Sequence, residues 1–138
     1  MQAAEWADDH LPSDSRVSAD RINTLLMSVY GNQRMITHLA DDIYLASVFT
    51  APHFGPTEAG LISRADADFL VVDQRLSTAL PLVGVYFEAG EPGGRLYTEP
   101  VALDALRKFD TVGGISRIFD SGSILIYDVR GIRMHDAP

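Results

Sequence analysis

The chain has 138 residues, of which 46% are apolar and 22% charged, with a net charge of −8. That length fits a single domain with a core of its own, and the composition is that of a globular protein, unlike a disordered one. No cluster of Lys and Arg occurs anywhere, so nucleic acid and anionic lipid, which both need a basic footprint, are excluded as partners.

Cysteine is absent, which removes disulfides, thiolate catalysis and Cys-based zinc sites. Lys108 is the sole lysine among eleven basic residues, a bias that reads as the base composition of a GC-rich genome. The longest apolar stretch, Leu80 to Phe87, contains Pro81 and Gly84 and falls far short of the roughly 20 residues that span a bilayer. No signal peptide is read at the start.

Taken in order, Ala3 to Leu11 reads as a helix that begins with no capping residue after Met1. This fits a helix cut from a longer chain, or equally a native start that frays. Trp6, Ala7, His10 and Leu11 give it one core-facing side, and Pro12 ends it. Arg16 to Ala19 reads as a short strand. Ile22, Leu25, Leu26, Val29 and Tyr30 then recur at helical spacing, which predicts a helix with that stripe in the core and Gly31 as its stop.

Arg34–Ala40 and Ile43–Thr50 read as two strands joined by a turn at Asp41-Asp42, and Ala51–Pro56 as a loop. Thr57 caps a helix to about Ala65. Phe69-Leu70-Val71-Val72 is a strand buried on both faces. Leu82–Glu88 is a further strand and Gly90–Gly94 a turn. Thr98 caps a helix with Pro100 in its first turn and Ala102, Leu103, Leu106 and Phe109 as its stripe. Ile115–Phe119 and Ile124–Val129 close the chain as a hairpin around Asp120–Ser123.

The expected fold is α/β: a mixed sheet, mostly parallel with a C-terminal antiparallel hairpin, flanked by helices. It is Rossmann-like without the phosphate-binding fingerprint, because Gly90–Gly94 and Gly113-Gly114 do not link a strand to a helix as a phosphate loop must. Residues 1–138 form one domain.

Asp20 between strand and helix serves first as an N-cap, since its carboxylate accepts bonds from free helix N–H groups. The rival reading is topological. In parallel α/β sheets ligands sit beyond the carboxyl ends of the strands, so Asp20, Arg21, His53, Asp73 and Arg75 would line one polar crevice for a small polar ligand or a sugar. His53 is held in a loop stiffened by Pro52 and Pro56.

Asp66-Ala67-Asp68 has the Asp-x-Asp form of a metal and sugar-nucleotide site, but it precedes its strand and reads as a surface turn, as does Asp41-Asp42. His10, His38, His53 and His135 show no ligand spacing. His38 alternates within a predicted strand. Ser123 lies in a turn without a Gly-x-Ser-x-Gly elbow. No catalytic set, metal site or cofactor is expected.

Three pieces carry a resemblance: Ala4-Glu5-Trp6 through Leu11-Pro12 into Arg16–Asp20; Ala67–Asp73; and Leu106–Asp110 followed by Ile115–Val129. Together they resemble the soluble domain that follows the last transmembrane helix in multi-pass bacterial membrane proteins of the glycosyltransferase C superfamily type. The resemblance implies a non-catalytic domain on the extracytoplasmic face of the cell membrane. It would pack on the membrane domain of its parent chain or help bind a sugar or polar acceptor. The catalytic carboxylate would lie in a loop between membrane helices, outside this chain. A stand-alone ligand-binding domain is the alternative, and a small metal-dependent enzyme using Asp66 or Asp68 the third reading.

Overall fold

A computed structural model describes residues 2–80, 86–87 and 99–132. Its elements run α1 (Gln2–His10), β1 (Arg16–Ser18), α2 (Arg21–Val29), β2 (Arg34–Met35), α3 (His38–Asp41), α4 (Ala46–Thr50), α5 (Pro56–Ala65) and β3 (Phe69–Asp73), followed by a 3-10 turn at Gln74–Ser77. Then come α6 (Leu103–Arg107), a 3-10 turn at Lys108–Thr111, β4 (Ser116–Asp120) and β5 (Ile124–Asp128).

The five strands form one sheet in the order β2-β1-β3-β5-β4. β1 runs parallel to β2 and β3, β5 antiparallel to β3, and β4 antiparallel to β5. This is the mixed α/β sheet that the sequence predicts, with the closing hairpin at one edge. The chain leaves β1 to reach β2 on one side and later β3 on the other, so β1 and β3 flank the topological switch point.

Strand period decides the layers. Phe69 and Val71 of β3, with Ile124 and Ile126 of β5, point into a core under α1 and α2 that also holds Ala4, Ala7, Val17 and Met27. Leu70, Val72, Leu125 and Tyr127 point the other way, into a larger core with Phe49, Ile62, Leu106 and Phe109. β3 is buried along its whole length, as a continuous apolar run requires.

Several expectations are corrected. The two strands predicted across 34–50 reduce to the two residues of β2, followed by α3 and α4. The local chemistry explains this. Thr37 Oγ1 accepts from Ala40 N, and Asp41 Oδ2 accepts from Thr37 N, which closes one helical turn. Asp42 ends it with φ +53, a conformation that Asp adopts readily. His38 therefore sits on a helix, not a strand, with its ring stacked on Tyr44 at 4.0 Å.

α5 is capped by Gly55 and Glu58, whose carboxylate accepts from Gly55 N, and not by Thr57. α6 begins at Leu103, so Pro100 lies outside it; Leu106 and Phe109 of the predicted stripe are buried as expected, but Ala102 and Leu103 are exposed and Val101 and Ala105 are buried in their place. Most of the predicted strand at Leu82–Glu88, all of the Gly90–Gly94 turn, Thr98 and His135 lie outside the described residues.

The largest correction concerns α2. Four of the five residues of its predicted core stripe face out, Ile22 and Leu25 each 64% exposed, Val29 61% and Tyr30 51%, while Leu26 alone of the five packs, half-buried, on the core under α1. Asn23 and Met27 are buried instead. Gly31 permits the close approach behind it, because a Cβ there would sit 2.7 Å from the Met27 carbonyl and 3.2 Å from that of Ala4.

Lys108 is built into the larger core's edge. Its ammonium donates to the carbonyls of Phe49 and Ala105, both at 2.9 Å, and lies 4.6 Å from the Phe109 ring centre. Burial lowers its pKa to about 8, against the opposing pull of Glu58. With the folded value below the unfolded one, the stability tied to Lys108 is complete above about pH 10.4 and is lost as pH falls through 8. Urea unfolding should therefore show stability rising by about 1–2 kcal/mol from pH 7.5 to 9.5 relative to Lys108→Met. Equal slopes for the two proteins would show that the ammonium is not desolvated.

Candidate functional site

The switch point gathers polar residues from two strand ends. Asp20 follows β1 and Asp73 ends β3. Asp20 Oδ1 accepts from Ile22 N and Asn23 N, both at 3.1 Å, so it caps α2 as its position predicts. Its other oxygen accepts from Asn23 Nδ2 at 2.8 Å, and the same amide donates to Asp73 Oδ2 at 3.0 Å. One Asn amide thus ties together two buried carboxylates from opposite sides of the switch point.

Arg75 completes the group. Its backbone N–H and its Nε both donate to Asp73 Oδ1 at 2.9 Å, and a terminal guanidinium nitrogen lies 2.7 Å from Asp73 Oδ2. This bidentate pairing is the geometry in which an Arg–carboxylate bond is strongest. Burial would raise the Asp73 pKa, but the Arg75 side chain, the Arg75 N–H and the Asn23 amide together bring it below the usual carboxylate value. Among the described residues no cation is hydrogen-bonded to Asp20. Burial pushes its pKa up, and the Asp73 charge adds to that, against the hydrogen bonds from Asn23 and Ile22.

The five predicted crevice residues do not share one site. Arg75 and Asn23 border a cleft of about 200 Å³ that is also lined by Gln2, Ser121 and Ser123. Arg21 lines a separate, smaller cleft of about 60 Å³ with Ser18, Thr24 and Thr37. Consecutive helix residues point about 100° apart, so Asp20 can face the sheet only if Arg21 turns away. His53 is exposed in the α4–α5 loop, whose Phe54 packs on the opposite core, and no hydrogen bond joins it to the Asp20–Asp73 group among the described residues.

Asn23 is the residue that the sequence reading missed. The apolar stripe drew attention to the outer face of α2, although Asp20-x-x-Asn23 is a spacing that brings two polar side chains over one turn.

The other acidic motifs serve the backbone. Asp68 Oδ2 accepts from Arg16 N at 2.9 Å, and Asp66 ends α5 with φ +55. Arg16 donates to Asp41 at 2.8 Å and to the Ala65 carbonyl, tying α3, β1 and α5 together. Among the described residues no three His, Asp or Glu side chains are placed to hold a metal ion.

The fold has a solved counterpart. The structure is similar to the C-terminal globular domain of an oligosaccharyltransferase from Archaeoglobus fulgidus, with a TM-score of 0.64 over 94% of this chain and 95% of that one. Identity is 14%, so the likeness is one of fold. No protein-family model and no curated protein matches the sequence.

The chemistry of the switch point fits a tie more than a reaction centre. All four oxygens of Asp20 and Asp73 accept bonds from the chain's own donors. Arg75, whose side chain is 63% exposed, lines the cleft together with Ser121 and Ser123. Those groups can donate to hydroxyl or anionic oxygens of a polar ligand, but they form no nucleophile–base pair.

Proposed function

We propose that this chain is a non-catalytic, extracytoplasmic accessory domain of a multi-pass membrane glycosyltransferase, where it helps bind an acceptor or scaffolds the membrane part. The observation that carries this reading is the likeness, over nearly the full length of both chains, to a C-terminal globular domain of an oligosaccharyltransferase. At the switch point the carboxylates of Asp20 and Asp73 join β1, α2 and β3, which suits a scaffold. No helix among the described residues is long and apolar enough to cross a membrane. The stand-alone ligand-binding reading loses its crevice, since Arg21 and Arg75 face different clefts and His53 faces neither.

The reading frame around residue 2 tests the proposal. Several in-frame apolar segments of about 20 residues are expected upstream. An in-frame stop there, together with a 138-residue product that fractionates away from membranes, would overturn it.

A further inference from the structure

The tie at the switch point uses up its carboxylates but not the polar groups on its outer side. Asn23 is 3% exposed, and its Nδ2 donates to both Asp20 and Asp73. Two carboxylates demand donors, so the amide cannot be reversed, and no donor among the described residues bonds Asn23 Oδ1. Among those residues the fully enclosed side-chain oxygen without a partner is that of Gln33. Asn23 Oδ1 therefore keeps an open side, and Asn23 lines the cleft of about 200 Å³ at the carboxyl end of β3.

The rest of the cleft is similarly unspent. Arg75 gives its Nε and one terminal nitrogen to Asp73, and its other terminal N–H groups have no acceptor among the described residues. Ser123 Oγ makes no bond there either, and the Ser121 hydroxyl makes only long ones to Ile124, at 3.4 and 3.5 Å. Leu26 and Ile124 supply apolar wall.

We infer that this cleft binds one ring of an uncharged saccharide. An anion would meet two carboxylates against one guanidinium, and a cation would meet the guanidinium. A neutral ligand has to donate to Asn23 Oδ1, accept from Arg75 and satisfy two serine hydroxyls. Neighbouring hydroxyl groups do this together, because each O–H both donates and accepts, whereas an amide places one donor and one acceptor on opposite sides. The ring's C–H groups suit Leu26 and Ile124. The volume is below the about 300–1,000 Å³ of sites for drug-sized ligands, which fits a single ring. The position agrees as well, since ligands of open α/β sheets sit beyond the carboxyl ends of the strands at a switch point. The inference adds a ligand to the accessory-domain reading without depending on it, because the residues named all belong to this chain.

NMR titration of the isotope-labelled 138-residue chain with D-glucose, D-galactose, D-mannose and N-acetyl-D-glucosamine tests it. At least one sugar is expected to give saturable shifts at the Asn23 side-chain amide and at Arg75 Nε–H, with a Kd of about 1–50 mM for so few ligand atoms. Ser123→Ala removes a hydroxyl that bonds nothing among the described residues, so the spectrum should stay folded while affinity falls about 3–10-fold. Unchanged affinity in that folded variant overturns the placing of the ring. So does the absence of saturation at these two residues with any of the four sugars. Tighter binding of D-glucuronate, or of N-acetylglycine N-methylamide, than of every neutral sugar overturns the saccharide assignment. A reading frame without membrane segments would overturn the accessory-domain proposal and leave all of these outcomes as they are.

Discussion

Phe109→Ala is expected to lower the unfolding free energy by about 3–5 kcal/mol, the range for truncating a fully buried aromatic residue. Phe109 is 0% exposed. Its ring meets Phe54 at 6.0 Å, Phe49 at 6.4 Å and Tyr127 at 5.3 Å, joining α4, the α4–α5 loop and β5. It also lies under the Lys108 ammonium, so its loss strips the cation of its neighbour while leaving it desolvated. The cavity forms where four elements converge, and a rigid sheet on one side limits collapse. Urea unfolding with an unchanged m-value would read the loss as a fall in midpoint. A loss below about 1 kcal/mol would mean that this cluster does not hold the larger core. Leu25→Ala, on the exposed face of α2, serves as the comparison and should cost no more than about 0.5 kcal/mol.

Asn23→Ala is expected to cost about 2–4 kcal/mol at pH 7, and less as pH falls. The substitution removes the one amide that donates to both Asp20 and Asp73. Asp73 keeps Arg75, so the burden falls on Asp20. Its folded pKa already lies above the ordinary 3.8, and losing the Asn23 bond moves it higher. A raised folded value means that the stability linked to Asp20 is complete below the unfolded pKa and is lost as pH rises through the folded one.

The cost of Asn23→Ala should therefore shrink between pH 7 and pH 4.5, where the variant can protonate Asp20. Asp73 works in the opposite sense: its lowered pKa gives stability that is present above the unfolded value and lost as pH falls through the folded one. Losing the Asn23 bond also raises the Asp73 pKa, which shrinks the cost at low pH in the same direction, so the difference between the two proteins reads the two carboxylates together. Unfolding curves for the two proteins at the two pH values measure it. A penalty independent of pH would show that Asn23 acts by packing alone.

These two residues bear on the functional proposal in different ways. Phe109 belongs to the core that makes the fold, and the fold is what the archaeal domain shares at 14% identity. Hydrophobic patterning of the right volume suffices to preserve such a scaffold while nearly every side chain changes. Asn23 belongs to the switch point, where an open α/β sheet offers a ligand site. Here the offer is taken up by the chain itself: Asp20, Asn23, Asp73 and Arg75 stitch β1, α2 and β3 into one unit.

Much of this architecture was legible from local signals. The buried run at Phe69–Val72 could only be a central strand, and the two β-rich runs about Asp120–Ser123 could only close as a hairpin with Gly122 at φ +95. Asp20 behaves as a cap because its bonds go to N–H groups two and three residues away. Chemistry that stays within one turn of the chain does not depend on what packs above it.

The sequence by itself determined the α/β class, the mixed sheet, the placing of β3, β4 and β5, and the cap at Asp20, because period, turn chemistry and capping are set by near neighbours. Only the tertiary structure decided which way α2 faces. Its apolar stripe is the stronger signal in isolation, yet the helix turns Asn23 and Met27 inward. There Asn23 joins the carboxylate of Asp20 to that of Asp73, 50 residues further along the chain from Asn23, and Gly31 lets α2 close on α1. A buried pair of carboxylates costs more if left untied than three aliphatic side chains cost in water. The fold therefore keeps the tie and leaves the stripe exposed.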